Sequence, residues 1–179
     1  MPTVELQISA LPVHVRTARL VAAALGRRLG LDAVTIDEVK LAVGEACSRA
    51  VGVHIAAEAP APIIVQFQDD DQILEIRVFD CGEADTRLPA GIAVGDALEG
   101  LEGLSPEAFT AGDDLFALTA SSSIEPPELE QSVEVAGLAS RLGLAVIAGL
   151  VDDMSVAPRN AVDEPGSVVT MRWPIVSFA

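Results

Sequence analysis

Basic residues are scarce: eleven Lys and Arg stand against twenty-seven Asp and Glu, which leaves a net charge of -16 and a pI near 4.2. Binding to nucleic-acid phosphates draws its affinity from clustered Lys and Arg, so a direct nucleic-acid surface is set aside. The same acidity suits a basic protein partner, because complementary charge steers association, and it serves equally as a solubility device. Cysteine is also rare. Cys47 and Cys81 lie far apart with no CxxC and no Cys/His cluster, so neither a zinc site nor a disulfide framework is indicated, and a reducing cytoplasm fits. No apolar run approaches the ~18 residues of a membrane span. The first residues include Glu5 and lack the basic-then-apolar layout of a signal peptide. A soluble cytoplasmic protein without membrane contact is expected. What is present is apolar material: half of the 179 residues are hydrophobic, enough to bury one sizeable core. A single domain spanning 1–179, with room for an insertion, is the expectation from length.

Val4, Leu6 and Ile8 alternate with Glu5, Gln7 and Ser9, the period of a half-buried strand. Pro12 suits the first turn of a helix that runs to about Gly30. Thr35 and Glu38 have capping-box spacing ahead of a second helix with the apolar face Ile36, Val39, Val43, Ala46, Cys47 and Val51. Two strand-like runs follow, Ile63 to Phe67 and Ile73 to Asp80, and the acidic turn Asp69, Asp70, Asp71 joins them into a hairpin. From Cys81 regular pattern fails for roughly fifty residues, well beyond the ~12–15 at which a structureless loop becomes unusual in a compact domain. It returns with an apolar helix around Leu142 to Val151, a strand near Met154 to Val156, and a last strand from Val168 to Trp173 closed by Pro174. The order β-α-α-β-β-insertion-α-β-β, without repeated βα alternation, predicts an α/β two-layer sandwich: a mixed sheet with helices on one face.

Four stretches fall in the order of one family. Asp37 to Val51 (DEVKLAVGEACSRAV) resembles the N-box helix of the anti-sigma factor serine kinases of the RsbW/SpoIIAB type, which usually reads EAxxNA. Phe79 to Ala84 (FDCGEA) resembles the DxGxG box of that family, Leu142 to Asp153 (LGLAVIAGLVDD) its second glycine box, and Gly166 to Trp173 (GSVVTMRW) its final strand. The resemblance covers about residues 3 to 82 and 140 to 174. It implies the histidine-kinase-like (GHKL) ATPase fold, and it rests on four motifs in matching strand and helix context rather than on any single one.

The resemblance also assigns roles. Glu45 matches the general base that takes the proton of a serine hydroxyl. Four residues on, the magnesium-coordinating asparagine of the family is Arg49, which has no lone pair to give a metal, so magnesium is not expected in the family manner and no metal ligand is assigned. Arg49 is expected either to form an ordinary i,i+4 ion pair with Glu45 or to fork onto phosphate oxygens of ATP. Asp80 matches the aspartate that accepts from the adenine amino group, and its structural alternative is a turn residue at a strand end. Gly82 keeps the first glycine of its box. The second is Ala84, where a need for φ > 0 would cost on the order of 1 kcal/mol. In the second box Gly143 is kept, and Arg141 replaces a glycine, either blocking the phosphate site or supplying a cation. Ser167 keeps a hydroxyl near the adenine position. His54 falls one residue beyond the usual histidine, where Val53 stands, and carries no assigned role.

The insertion, about residues 83–135, holds twelve acidic residues and one basic residue, a net of -11. It lies where the family places its ATP lid. Such a segment is expected to be solvated or disordered, or to act as a partner-binding or self-blocking lid; Ser105-Pro106-Glu107 offers a helix start and Leu115, Phe116 and Leu118 a small apolar patch. Three functions follow. The preferred one is an anti-sigma protein that sequesters an alternative sigma factor and is countered by a STAS-domain anti-anti-sigma partner, with kinase chemistry weak or lost. The others are a working ATP-dependent serine kinase acting on that STAS partner, and a GHKL-shaped binding module outside sigma regulation. A homodimer is what the resemblance implies.

Overall fold

The computed structural model describes residues 2–70, 72–82, 143–159 and 166–175. In chain order the elements are β1 (Thr3–Ile8), α1 (Pro12–Arg28), α2 (Ala33–Ala56), β2 (Ile63–Asp69), β3 (Ile73–Asp80), β4 (Asp153–Pro158) and β5 (Ser167–Pro174). A short helix at 143–148 precedes β4. The expected element order is therefore present among the described residues. The insertion at 83–135, with its Ser105 helix start and its Leu115, Phe116 and Leu118 patch, lies outside them, as do Asp71, Ala84, Arg141 and Leu142.

The strands form one sheet in the order β1-β2-β3-β5-β4. Every described pairing is antiparallel, so the expected mixture of strand directions is not found here. The reason lies in the connections. β2 and β3 are joined by a tight turn in which Asp70 accepts from the backbone N–H of Gln72 and Ile73, and a hairpin of that kind reverses the chain. β5 enters between β3 and β4 against both of its neighbours.

Alternation along each strand sorts the two faces. Ile63, Val65 and Phe67 of β2, Leu74, Ile76 and Val78 of β3, and Val169, Met171 and Trp173 of β5 are buried and share one core with Val39, Val43, Ala46, Cys47 and Val51 of α2. The opposite face carries Glu5, Gln66, Arg77, Thr170 and Ser155 as one cross-strand row. The described helices thus lie on a single face, as the hydrophobic periods predicted.

Both long helices begin and end for local reasons. Pro12 sits at the start of α1, where its missing N–H is not needed, and Arg27 and Arg28 in the last turn complement the helix dipole. Gly30 stops the helix at φ +75, which lets its own N–H reach Arg27 O and the Leu31 N–H reach Gly26 O. The expected Thr35–Glu38 capping box is corrected. Asp32 is the cap: its carboxylate accepts from the Val34 and Thr35 amides at 2.8 and 3.1 Å, and the Thr35 hydroxyl donates to it at 2.7 Å. α2 therefore starts before Thr35, which is spent as a second donor to its own cap. Among the described residues no helix is long and apolar enough to cross a membrane.

Candidate functional site

The matched residues converge at one end of the sheet. Asp80 ends β3, and cross-strand register sets Ser167, the first residue of β5, opposite it. Both side chains point to the helix-covered face. Arg49 comes from the inner side of α2, thirty-one residues earlier in the chain, and Glu45 stands one turn before it on the same helix.

Arg49 Nη1 donates to Asp80 Oδ2 in a buried ion pair, the two side chains 4% and 0% exposed. The other carboxylate oxygen, Oδ1, accepts from the Ser167 hydroxyl at 2.8 Å and from the Gly82 N–H at 2.8 Å. Three donors therefore hold one carboxylate that no solvent reaches. The ion pair described for Arg49 is with Asp80, thirty-one residues away, where helical spacing offers Glu45. The physical reason is burial: Asp80 sits at the floor of the core, where a bare carboxylate is far more costly than an exposed one, so the nearest buried cation is drawn to it.

Two glycines allow the cluster to close. A Cβ at Gly82 would stand 2.6 Å from Val53 Cγ1, so the glycine is required for packing against α2. A side chain at Gly166 would collide with the Asp80 carbonyl. Gly143 is under no such pressure: its Cβ would find Glu45 Oε2 at 3.8 Å, an ordinary contact. That distance places Glu45, half-buried, beside the start of the short helix at 143–148. Of the residues singled out in the sequence, Glu45, Arg49, Asp80, Gly82, Gly143 and Ser167 thus lie together, and Ala84 and Arg141 fall outside the described residues.

One participant carried no assigned role in the sequence reading. His54 is 2% exposed, on the buried side of the last turn of α2. Its Nε2 accepts from the Cys81 N–H at 3.1 Å, which leaves the proton on Nδ1 to donate to Ala61 O, also at 3.1 Å. His54 therefore pins the turn after Asp80 to the chain entering β2. Its signal was available: it lies three residues beyond Val51 and seven beyond Cys47, on the apolar stripe of α2. Beside it, burial and then the Asp80 charge push the Cys81 thiol above its ordinary 9.0.

The resemblance implies ATP and magnesium, and the donor set does not fit them. A guanidinium stands at the position that the resemblance gives to the metal ligand, and it offers no lone pair. The carboxylate that would read an adenine amine already holds three donors in a closed core. What the cluster does chemically is neutralise a buried charge and lock the ends of α2, β3 and β5 together.

Comparison with known proteins agrees with this architecture. The chain is 30% identical over 104 residues to a protein named serine-protein kinase RsbW from Bacillus licheniformis, an alignment covering 58% of this chain and 61% of that protein. The chain thus spans less than two thirds of that relative's length. Residues 8–105, more than half of the chain, match the histidine kinase-like ATPase domain. With α1, α2, β2, β3 and the N-box and DxGxG positions all inside that match, the chain belongs to the histidine kinase-like ATPase domain family.

Proposed function

We propose that this chain is an anti-sigma regulatory protein: it binds and sequesters an alternative sigma factor, is countered by a STAS-domain anti-anti-sigma partner, and has lost most or all kinase chemistry. One observation carries the last clause. Arg49 pairs with Asp80, so the position that would hold magnesium and the position that would hold adenine neutralise each other. Without the metal, charge on a transferring phosphoryl group goes uncompensated, and positioning of the nucleotide base is lost with it. Regulation then rests on protein affinity alone, and the acidic surface favours a basic face on the sigma factor. A homodimer belongs to the same reading.

A working serine kinase is the second reading. Glu45 is retained, half-buried beside Gly143, where a general base for a serine hydroxyl would act. The two readings separate in one experiment. The full chain, incubated with a sigma factor, a STAS-domain protein and γ-labelled ATP with magnesium, is expected to capture the sigma factor and to release it to the STAS protein without label transfer. Transfer to a STAS serine that disappears in Glu45→Gln would establish the kinase instead. Arg49→Asn alone is expected to give little transfer, because residues acting as a catalytic unit are strongly non-additive.

A further inference from the structure

The chemistry of the buried cluster makes Arg49 more than a lost ligand. A carboxylate that reads an amino group needs an open lone pair facing the ligand. Asp80 has Oδ2 on Arg49 and Oδ1 on Ser167 and Gly82, with its side chain fully buried. The group on Oδ2 is an sp² nitrogen in a planar conjugated system, the same donor type as the exocyclic amine of adenine, with a full positive charge added. A charge-assisted hydrogen bond is roughly twice as strong as a neutral one, and this one is intramolecular.

We propose that Arg49 is the specificity-determining residue that closes this site to adenine nucleotides, its guanidinium serving as an internal stand-in for the base. The proposal rests on the reading of this end of the sheet as the former nucleotide site, and it holds whichever partner the protein regulates. For adenine to reach Asp80, the guanidinium must first give up its charge-assisted bond to that carboxylate. That competition weakens binding by roughly 10- to 10²-fold against an open site. The internal pair also replaces a structural service of a ligand. It keeps the end of β3, the turn at 81–82 and the start of β5 in one arrangement with nothing bound. Partner binding is accordingly indifferent to ATP and ADP.

Calorimetry with ADP and GDP on the full chain tests this directly. The wild-type protein is expected to show no ADP binding tighter than about 1 mM, whereas Arg49→Asn, which frees Asp80 as an acceptor, is expected to gain at least about tenfold for ADP over GDP. Arg49→Asn leaves a lone buried carboxylate. Should it fail to fold, Arg49→Asn with Asp80→Asn removes that charge, keeps an acceptor oxygen, and is expected to bind ADP more tightly than wild type with less preference over GDP. Wild-type ADP affinity in the micromolar range, or a folded variant that stays blind to ADP, overturns the proposal. The outcomes are separate from those of the functional reading: a nucleotide-blind protein that captures no sigma factor sinks that reading alone, and a sigma-binding protein with micromolar ADP affinity sinks this one.

Discussion

Two arginine–carboxylate systems are built around the same pair of strands, β3 and β5, and differ in nearly everything but chemistry. At one end Arg49, Asp80 and Ser167 lie on the helix-covered face, closed to water. Toward the other end and on the open face, Arg172 donates through Nε to Glu75 at 2.7 Å and through Nη1 to Asp153 at 2.5 Å, while Arg77 reaches the same Glu75 at 2.5 Å. There the Arg172 side chain is 38% exposed. Its hydrogen bonds to Glu75 and then to Asp153 hold it above the ordinary arginine range, yet water screens both charges and competes for each donor. The buried pair has no such alternative. Its net contribution to stability over an apolar pair is small, and its disruption is severe, because the survivor is a buried charge that has lost the opposite charge placed against it.

The largest effect should therefore come from halving the buried pair. Arg49→Met and Asp80→Ala are each expected to cost about 3–5 kcal/mol in urea unfolding, whereas the double variant Arg49→Met with Asp80→Leu should recover most of that loss. Single losses under about 1 kcal/mol would mean that water reaches the pair, and the contrast with Arg172 would disappear.

His54→Ala probes the neutral part of the same closed end. It leaves the Cys81 N–H and the Ala61 carbonyl without their partner and is expected to cost about 1–3 kcal/mol, with faster amide exchange at Cys81. Unchanged exchange at that amide would show that the turn is held by Asp80 alone.

Buried groups should also reveal themselves by pH. Burial pushes the Cys47 thiol from 9.0 up to about 12, with the nearby Arg19 charge pulling the other way. A folded-state value above the unfolded one means that the thiol's contribution is fully present below pH 9.0 and is lost as pH rises toward about 12. Stability at pH 10 should lie roughly 1 kcal/mol below that at pH 8.5 through this group, and Cys47→Ala should flatten that part of the curve. An identical alkaline slope in the variant would assign it to other groups.

The smallest effect belongs to the exposed system. Arg172→Ala is expected to change stability by no more than about 1 kcal/mol, and 1 M salt should erase most of the difference. A loss matching that of Arg49→Met would show that exposure does not rank the two systems.

Much of the fold was legible because backbone periods are local. Alternation from Val4 to Ile8 and along Ile73 to Asp80 marked half-buried strands, and the stripe from Ile36 to Val51 marked the buried side of α2; all of these are observed. The cap was misread because Thr35 is itself a good capping residue, and only the carboxylate geometry of Asp32 decides between them. Strand direction was misread because a period of two is the same in parallel and antiparallel sheets. Within the site, Glu45, Asp80 and Ser167 could be picked out by motif, whereas His54 could not, because a histidine on an apolar stripe shows its partners only when the chain beyond it has folded back.

The sequence by itself determined the element types, the acidity, and the fact that position 49 offers no lone pair to a metal, since each follows from side-chain chemistry or from spacing along one segment. Which carboxylate Arg49 meets was decided only by the tertiary structure. Helical spacing offered Glu45, one turn away, and the register of β3 against β5 together with the packing of α2 on β3 brought Asp80 from thirty-one residues downstream. Burial accounts for that pairing, because a carboxylate in the core must be neutralised by whatever cation the fold delivers to it, whereas half-buried Glu45 keeps contact with water.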